Sequence, residues 1–366
     1  ELANTIEEIK RKEEKLEIAR ALDKAGVDRI EAGMPGVSKE EMAAVKAIAN
    51  DGLSAKVFAF ARCMKADIDL ARQCDVDGVM MEIPSSDHIL EYAYGWTEDR
   101  AIQLSVQATT YAAAHGLHVA FFTIDSTRAS FETCWKIVNA VYSQGHMDSL
   151  VMVDTFGVCC PEAIKYFITR MKKRVKKPIE IHCHNDFGLA VANTLAAVTV
   201  GVEIVHTTVN GIGERVGNAS LDEVALSLEM LYGVKTGIRK ENLHSLSKVV
   251  ERRSHIKMPP NKPVVGDGAF TTESGILVGW WNRLEELNMP LEMFPFKPEV
   301  VGQKPIKVVL GKKSGKDSIT YKARQLGLPI PNGNVNDLLA AVKEASEEKK
   351  RVLTDEEFKR LVDAVS

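Results

Sequence analysis

The chain has 366 residues, with 47 Lys and Arg against 50 Asp and Glu, a formal net charge of −3. That near-balance argues against a nucleic-acid-binding surface and against an acidic disordered tail. No apolar run reaches the ~18 residues that a membrane span needs, and the opening ELANTIEEIKRKEEK is too charged for a signal peptide. Six cysteines without repeated spacing read as reduced thiols of a cytoplasmic protein.

Amphipathic helices alternate with short apolar runs along the first two thirds of the chain. EEKLEIARALDKAG (13–26) precedes RIEAGMP (29–35), and EEMAAVKAIAND precedes VFAFAR (57–62). The runs GVMMEIPSS (78–86), HVAFFTIDSTR (118–128), SLVMVDTFG (149–157), IEIHCHNDFG (179–188) and EIVHTTVNGIG (203–213) follow, each after its own helix. Continuously apolar strands are those buried on both faces of a parallel sheet. Almost every run ends in polar residues: Glu31, Arg62, Ser85-Ser86, Asp125 to Arg128, Asp154-Thr155, His182 to Asp186 and Asn210 to Glu214. An open sheet gathers its ligand groups at one switch point. Contributions from all seven strands predict a TIM (β/α)₈ barrel with its site at the C-terminal rim. Seven strands where eight are needed imply that the first is absent from this sequence, since a barrel without it exposes two sheet edges.

The alternation stops near Thr236. The expected domains are a barrel over 1–236, a Pro- and Gly-punctuated linking subdomain over 237–310, and a small helical subdomain over 311–366.

The sharpest chemical signal is Ile181-His182-Cys183-His184-Asn185-Asp186. Histidines two apart on a strand share a face, and neutral imidazoles are common metal ligands. Asn210-Gly211-Ile212-Gly213-Glu214-Arg215-Val216-Gly217-Asn218 is not a GxGxxG nucleotide loop, and it follows the last strand. It reads as a rim loop presenting the Asn218 amide oxygen, with Glu214 and Arg215 as either functional groups or a structural ion pair. MKKRVKK (171–177) reads as a solvated helix face, and Cys159-Cys160 as a helix start.

HCHNDFGLAVANTLAAV and VHTTVNGIGERVGNASLDEV, with IEAGMP, DTFG and LGKKSGKDSI, resemble the acyl-CoA/α-keto acid condensing enzymes: 2-isopropylmalate, homocitrate and citramalate synthases. The related hydroxymethylglutaryl-CoA lyases share the HxH but carry a cysteine-bearing glycine loop where this chain has GIGERVGN. The resemblance implies a cytoplasmic enzyme of amino-acid biosynthesis. His182 and His184 are its implied ligands to a divalent ion (Zn, Mn, Co or Mg), with Asn218 as a possible third. The family's remaining ligand is a carboxylate in an Arg-[Asp/Glu]-Gly-Glu motif ending strand 1, of which only Glu1 matches a residue here.

Two departures stand out. The family's strand-5 Glu is Ile124, and the second His of its linking motif Thr-His-Glu-Ser-Gly-Ile-His is Leu277. Neither replacement can move a proton. Glu273, Glu214 and Asp125 are therefore the candidate catalytic groups, Glu273 first, its alternative being a contact within its own loop. Glu31, Arg62 and Thr155 are the expected substrate contacts. The implied reaction is a metal-dependent Claisen condensation of an acyl-CoA with an α-keto acid, without nucleic-acid or membrane partners. A lyase or aldolase on the same barrel, and a non-catalytic metal-binding barrel, are the alternatives. The family's linking region closes the partner's site, so the apolar GILVGWW (275–281) implies a homodimer.

Overall fold

A computed structural model describes residues 12–329 and 334–365. The chain divides into two compact units, with the boundary along the sequence between Met258 and Pro259.

The first unit is built on seven parallel strands in sequence order: β1 (Arg29–Glu31), β2 (Lys56–Arg62), β3 (Gly78–Pro84), β4 (His118–Ile124), β5 (Ser149–Asp154), β6 (Ile179–Cys183) and β7 (Ile204–Val205). Each is separated from the next by at least one helix on the outside. Several helix starts are set by short polar side chains. Ser38, Thr97 and Ser130 accept from the amides of Glu41, Arg100 and Thr133, three residues on, and Pro161 opens the helix Pro161–Lys172.

Strand parity divides the core in two. Val57, Ala59, Ala61, Val79, Met81, Ile83, Val119 and Phe121 face outward, against helix residues such as Val45, Ile68, Ile137 and Ile168. The alternate positions Phe58, Met80, Ala120, Phe122, Val151 and Val153, with Phe60 and Ile124, fill the interior. This is the half-barrel of a TIM fold. Among the described residues β1 and β7 each keep one unpaired edge, and Glu1 lies outside the described residues.

The run 203–213 expected as one strand is shorter. Only Ile204–Val205 is strand; the chain then turns, with Asn210 at φ 63°. The helix Leu243–Ser254 falls within the first unit, beyond the boundary at 236 drawn from sequence. It buries Leu243, Leu246 and Val250, and its Arg252 and Arg253 pair with Glu17 of the helix Lys12–Ala25.

In the second unit β8 (Thr271–Thr272) pairs parallel with β9 (Lys307–Val308). Val278, Trp281, Val308 and Tyr321 form one small core. Three helices, Lys316–Leu326, Val335–Lys349 and Asp355–Val365, enclose another around Ile319, Val342 and Phe358. No helix among the described residues is long and apolar enough to cross a membrane.

Candidate metal and substrate site

On β6 the alternation of side chains sends Glu180, His182 and the adjoining His184 into the interior, all buried. The Nε2 atoms of His182 and His184 stand 3.4 Å apart. Asn218 Nδ2 lies 3.1 Å from His182 Nε2, and an antiparallel bridge ties Asn218 to His184. Phe122 packs edge-on to His182 at 5.4 Å.

Asn218 Oδ1 is buried without a hydrogen-bond partner among the described residues, which asks for an explanation. A half-turn of the amide exchanges nitrogen for oxygen, a choice set by the surrounding network. Two imidazole nitrogens and an amide oxygen then converge, a donor set that fits a divalent ion. No group of three His, Cys, Asp or Glu that could hold a metal occurs among the described residues; the third donor here is an amide.

The glycine loop makes this placement possible. A Cβ on Gly213 would stand 1.8 Å from Asn218 Oδ1, and one on Gly217, at φ 89°, 1.8 Å from Gly211 O. Only glycine allows the loop to fold back on itself here. Asn218 N donates to Gly211 O and Asn185 N to Gly217 O, at 3.1 and 2.9 Å. Arg215 pairs with Asp186 at 2.7 and 2.8 Å and donates to the Thr155 carbonyl at 2.7 Å. It thus forms a structural ion pair with Asp186, while its neighbour Glu214 is exposed.

Arg62 and Glu82 are register partners on β2 and β3. Arg62 is held in a fork by Asp67, with Nε and Nη2 at 2.8 and 2.9 Å. Burial pushes the Glu82 carboxyl up to about 7; the Arg62 charge opposes that, and Asp67, Glu31 and Glu214 add to it. Those interactions gather Glu31, Arg62, Glu82 and Glu214 around one mouth. Glu82 is absent from the residues singled out by sequence. Its signal was a lone carboxylate at an inward position of the apolar run GVMMEIP.

The remaining candidates are engaged elsewhere. Asp125 is fully buried; Arg128 Nε and Nη2 reach it at 2.8 Å each and Ser86 Oγ donates at 2.6 Å. Thr155 Oγ1 accepts from the Asp125 amide at 2.8 Å. These two latch the rims of β4 and β5. Glu273 belongs to the second unit, where it accepts from the Lys313 amide at 2.9 Å, a partner 40 residues along the chain and not one within its own loop. Ile124 lines the interior, and Leu277 is partly exposed.

One layer below the histidines, Glu180 accepts from Arg29 Nη1, Ser149 Oγ and His206 Nε2 at 2.8, 2.5 and 2.7 Å. Burial alone would raise this carboxyl. The hydrogen bond and charge of His206, with Ser149 and Arg29, bring it down to about 2.

The HMGL-like family model matches residues 4–250 and the model of the homocitrate synthase post-HMGL domain matches 264–350. The chain belongs to the HMGL-like family. Its resemblance to homocitrate synthase AksA of Methanocaldococcus jannaschii is 42% identity over 97% of this chain and 86% of that one. The 2-isopropylmalate synthase of the same organism is 40% identical over 96% and 67%. Its (R)-citramalate synthase CimA is 40% identical over 90% and 66%. Three differently named relatives stand at nearly equal distance, so identity alone does not choose a substrate. Among solved structures, the HMG-CoA lyase of Bacillus subtilis superposes with TM-score 0.62 at 17% identity, covering 70% of this chain and 93% of the lyase. That likeness supports the HMGL-like fold.

Proposed function

We propose that this chain condenses an acyl-CoA, with acetyl-CoA as the expected donor, with an α-keto acid, and that water then hydrolyses the thioester so formed to give a 2-hydroxy acid and CoA. The observation that carries this reading is the convergence of His182, His184 and Asn218 at the C-terminal end of the barrel strands, in a chain whose relatives are named for such condensations.

In this reading His182, His184 and Asn218 hold a divalent ion. When bound, that ion supplies a Lewis acid for the ketone and carboxylate oxygens of the keto acid. The chain's own side chains do the rest. Phe122 and Ile124 keep water from the interior beside the histidines. Arg62 and Glu31 orient the far end of the substrate. A mouth carboxylate, Glu31 or Glu214, takes the proton from the acyl methyl group, because Asp125 is saturated by Arg128 and Ser86. Glu273 is the candidate from the second unit. The same reading makes the protein a homodimer. The helix Gly275–Glu286 exposes Ile276, Leu277 and Trp280 along one side, and apolar stripes of this kind mark interfaces.

The test is thiol release from acetyl-CoA with a panel of α-keto acids, using the full-length protein with Mn²⁺ and again with chelator. Metal-dependent CoA release with one keto acid is expected. Carbon–carbon cleavage of a 2-hydroxy acid or its CoA ester, without condensation, would replace the synthase reading by the lyase one.

A further inference from the structure

The glutamate on β3 has no part in the reading above, yet its position gives it one. We propose that Glu82 sets the choice of keto acid, turning away substrates whose side chain ends in a second carboxylate and admitting those with an uncharged side chain. This rests on the condensation reading of the same site.

The argument is positional. β2 and β3 stand four and three strands from β6 in the sheet order. Four strands along a closed eight-stranded barrel is a diameter. A keto acid held by its carboxylate and ketone at His182 and His184 therefore points its side chain toward Arg62 and Glu82. Glu82 lies in register with Arg62 on one side and with Phe122 on the other. Phe122 in turn packs on His182, so one continuous lining joins Glu82 to the histidines.

The charges there favour a neutral tail. Arg62 is the cation at this end, and two of its nitrogens are already committed to Asp67. The carboxylates of Glu31 and Glu214 each act on Glu82 as like charges. A second substrate carboxylate would enter beside these negative groups, with only the outer Nη1 edge of Arg62 left to receive it, since Asp67 takes Nε and Nη2. Like charges in a partly desolvated site are a strong device for rejection. An alkyl tail meets instead Phe60, Phe122 and Ile124 from the same lining.

The experiment measures binding of three keto acids to the full-length protein with Mn²⁺ by calorimetry, at pH 8: pyruvate, 3-methyl-2-oxobutanoate and 2-oxoglutarate. Wild type is expected to bind one of the first two more tightly than 2-oxoglutarate. Glu82→Gln should tighten 2-oxoglutarate by about tenfold, the effect of removing one like charge at this range, and change the neutral acids by less than about threefold. Glu82→Leu provides a second variant that should do the same. Tighter wild-type binding of 2-oxoglutarate, or equal shifts for all three acids, overturns the proposal. Thiol release from acetyl-CoA is read in parallel. Release with an unmoved binding ratio discards Glu82 and keeps the condensation; a moved ratio without release does the reverse. No binding of any acid removes both.

Discussion

Two glutamates inside one barrel have opposite fates. Glu180, at the base, is fully buried and meets three donors, and its carboxyl falls to about 2. Glu82, at the mouth, has one opposing cation and several like charges, and burial raises it to about 7. Burial is common to both; the donors decide the direction. The base of the interior is satisfied and structural. The mouth holds a carboxylate raised by burial and, among the described residues, an amide oxygen at Asn218 without a partner, and groups of this kind mark a place for a ligand.

The largest effect should come from breaking the base. Glu180→Ala removes the acceptor shared by Arg29, Ser149 and His206. Breaking such a buried pair costs about 3–5 kcal/mol, read as a lower urea midpoint with unchanged slope. Arg29 sits on β1 and Glu180 on β6, so this pair also reaches across the seam between β1 and β7. A loss below about 1 kcal/mol would place Glu180 among ordinary surface pairs and dissolve the contrast.

At the mouth, His182→Ala should weaken Mn²⁺ binding by at least about 100-fold, since even the loss of a group that only supports a ligand reduces metal affinity about 10–100-fold. Equilibrium dialysis of the full-length protein measures it. Unchanged affinity would move the metal away from β6.

The two carboxyls also predict opposite limbs of a stability profile. The folded pKa of Glu180 is depressed, so its contribution is present above the unfolded value of about 4.5 and is lost as pH falls toward 2. The folded pKa of Glu82 is raised. Its cost is absent below about 4.5, grows as the pH rises, and is complete above about 7. Glu82→Gln should therefore leave stability unchanged at pH 4 and raise it by roughly 1–3 kcal/mol at pH 8. A difference that is flat from pH 4 to 8 would mean that the Glu82 carboxyl is not perturbed.

The sequence carried the barrel well because parity and period are local: seven apolar runs at regular spacing are seven parallel strands. It carried the HxH for the same reason, since residues two apart on a strand must share a face. It was poor at distinguishing carboxylates. Asp125 and Glu82 look alike in sequence, one polar residue near the end of an apolar strand. What separates them is Arg128 and Ser86 at one and, among the described residues, no such hydrogen-bonded pair at the other. The first of those partners is three residues away, but the second comes from β3's rim, a contact only the folded sheet supplies. The Arg215 pairing likewise crosses 29 residues to Asp186, and no spacing rule points there.

The smallest effect expected is also the most specific to the mouth. A Cβ on Gly213 would sit 1.8 Å from Asn218 Oδ1, so Gly213→Ala must move one of the two. The nearest obstacle is the tip of a side chain, with the Gly217 backbone farther off at 3.2 Å, so the fold accommodates it for about 1 kcal/mol. The cost falls instead on the direction of the amide. If Asn218 is a ligand, turning it away should weaken Mn²⁺ binding by about tenfold. The control is Gly213→Ala in an Asn218→Ala background. There the extra methyl group meets Gly217 Cα, at 3.2 Å, and no amide to turn, so the two losses of metal affinity should not add. Additive losses would mean that Gly213 acts on the loop backbone, and that the orphaned oxygen of Asn218 is no part of the metal site.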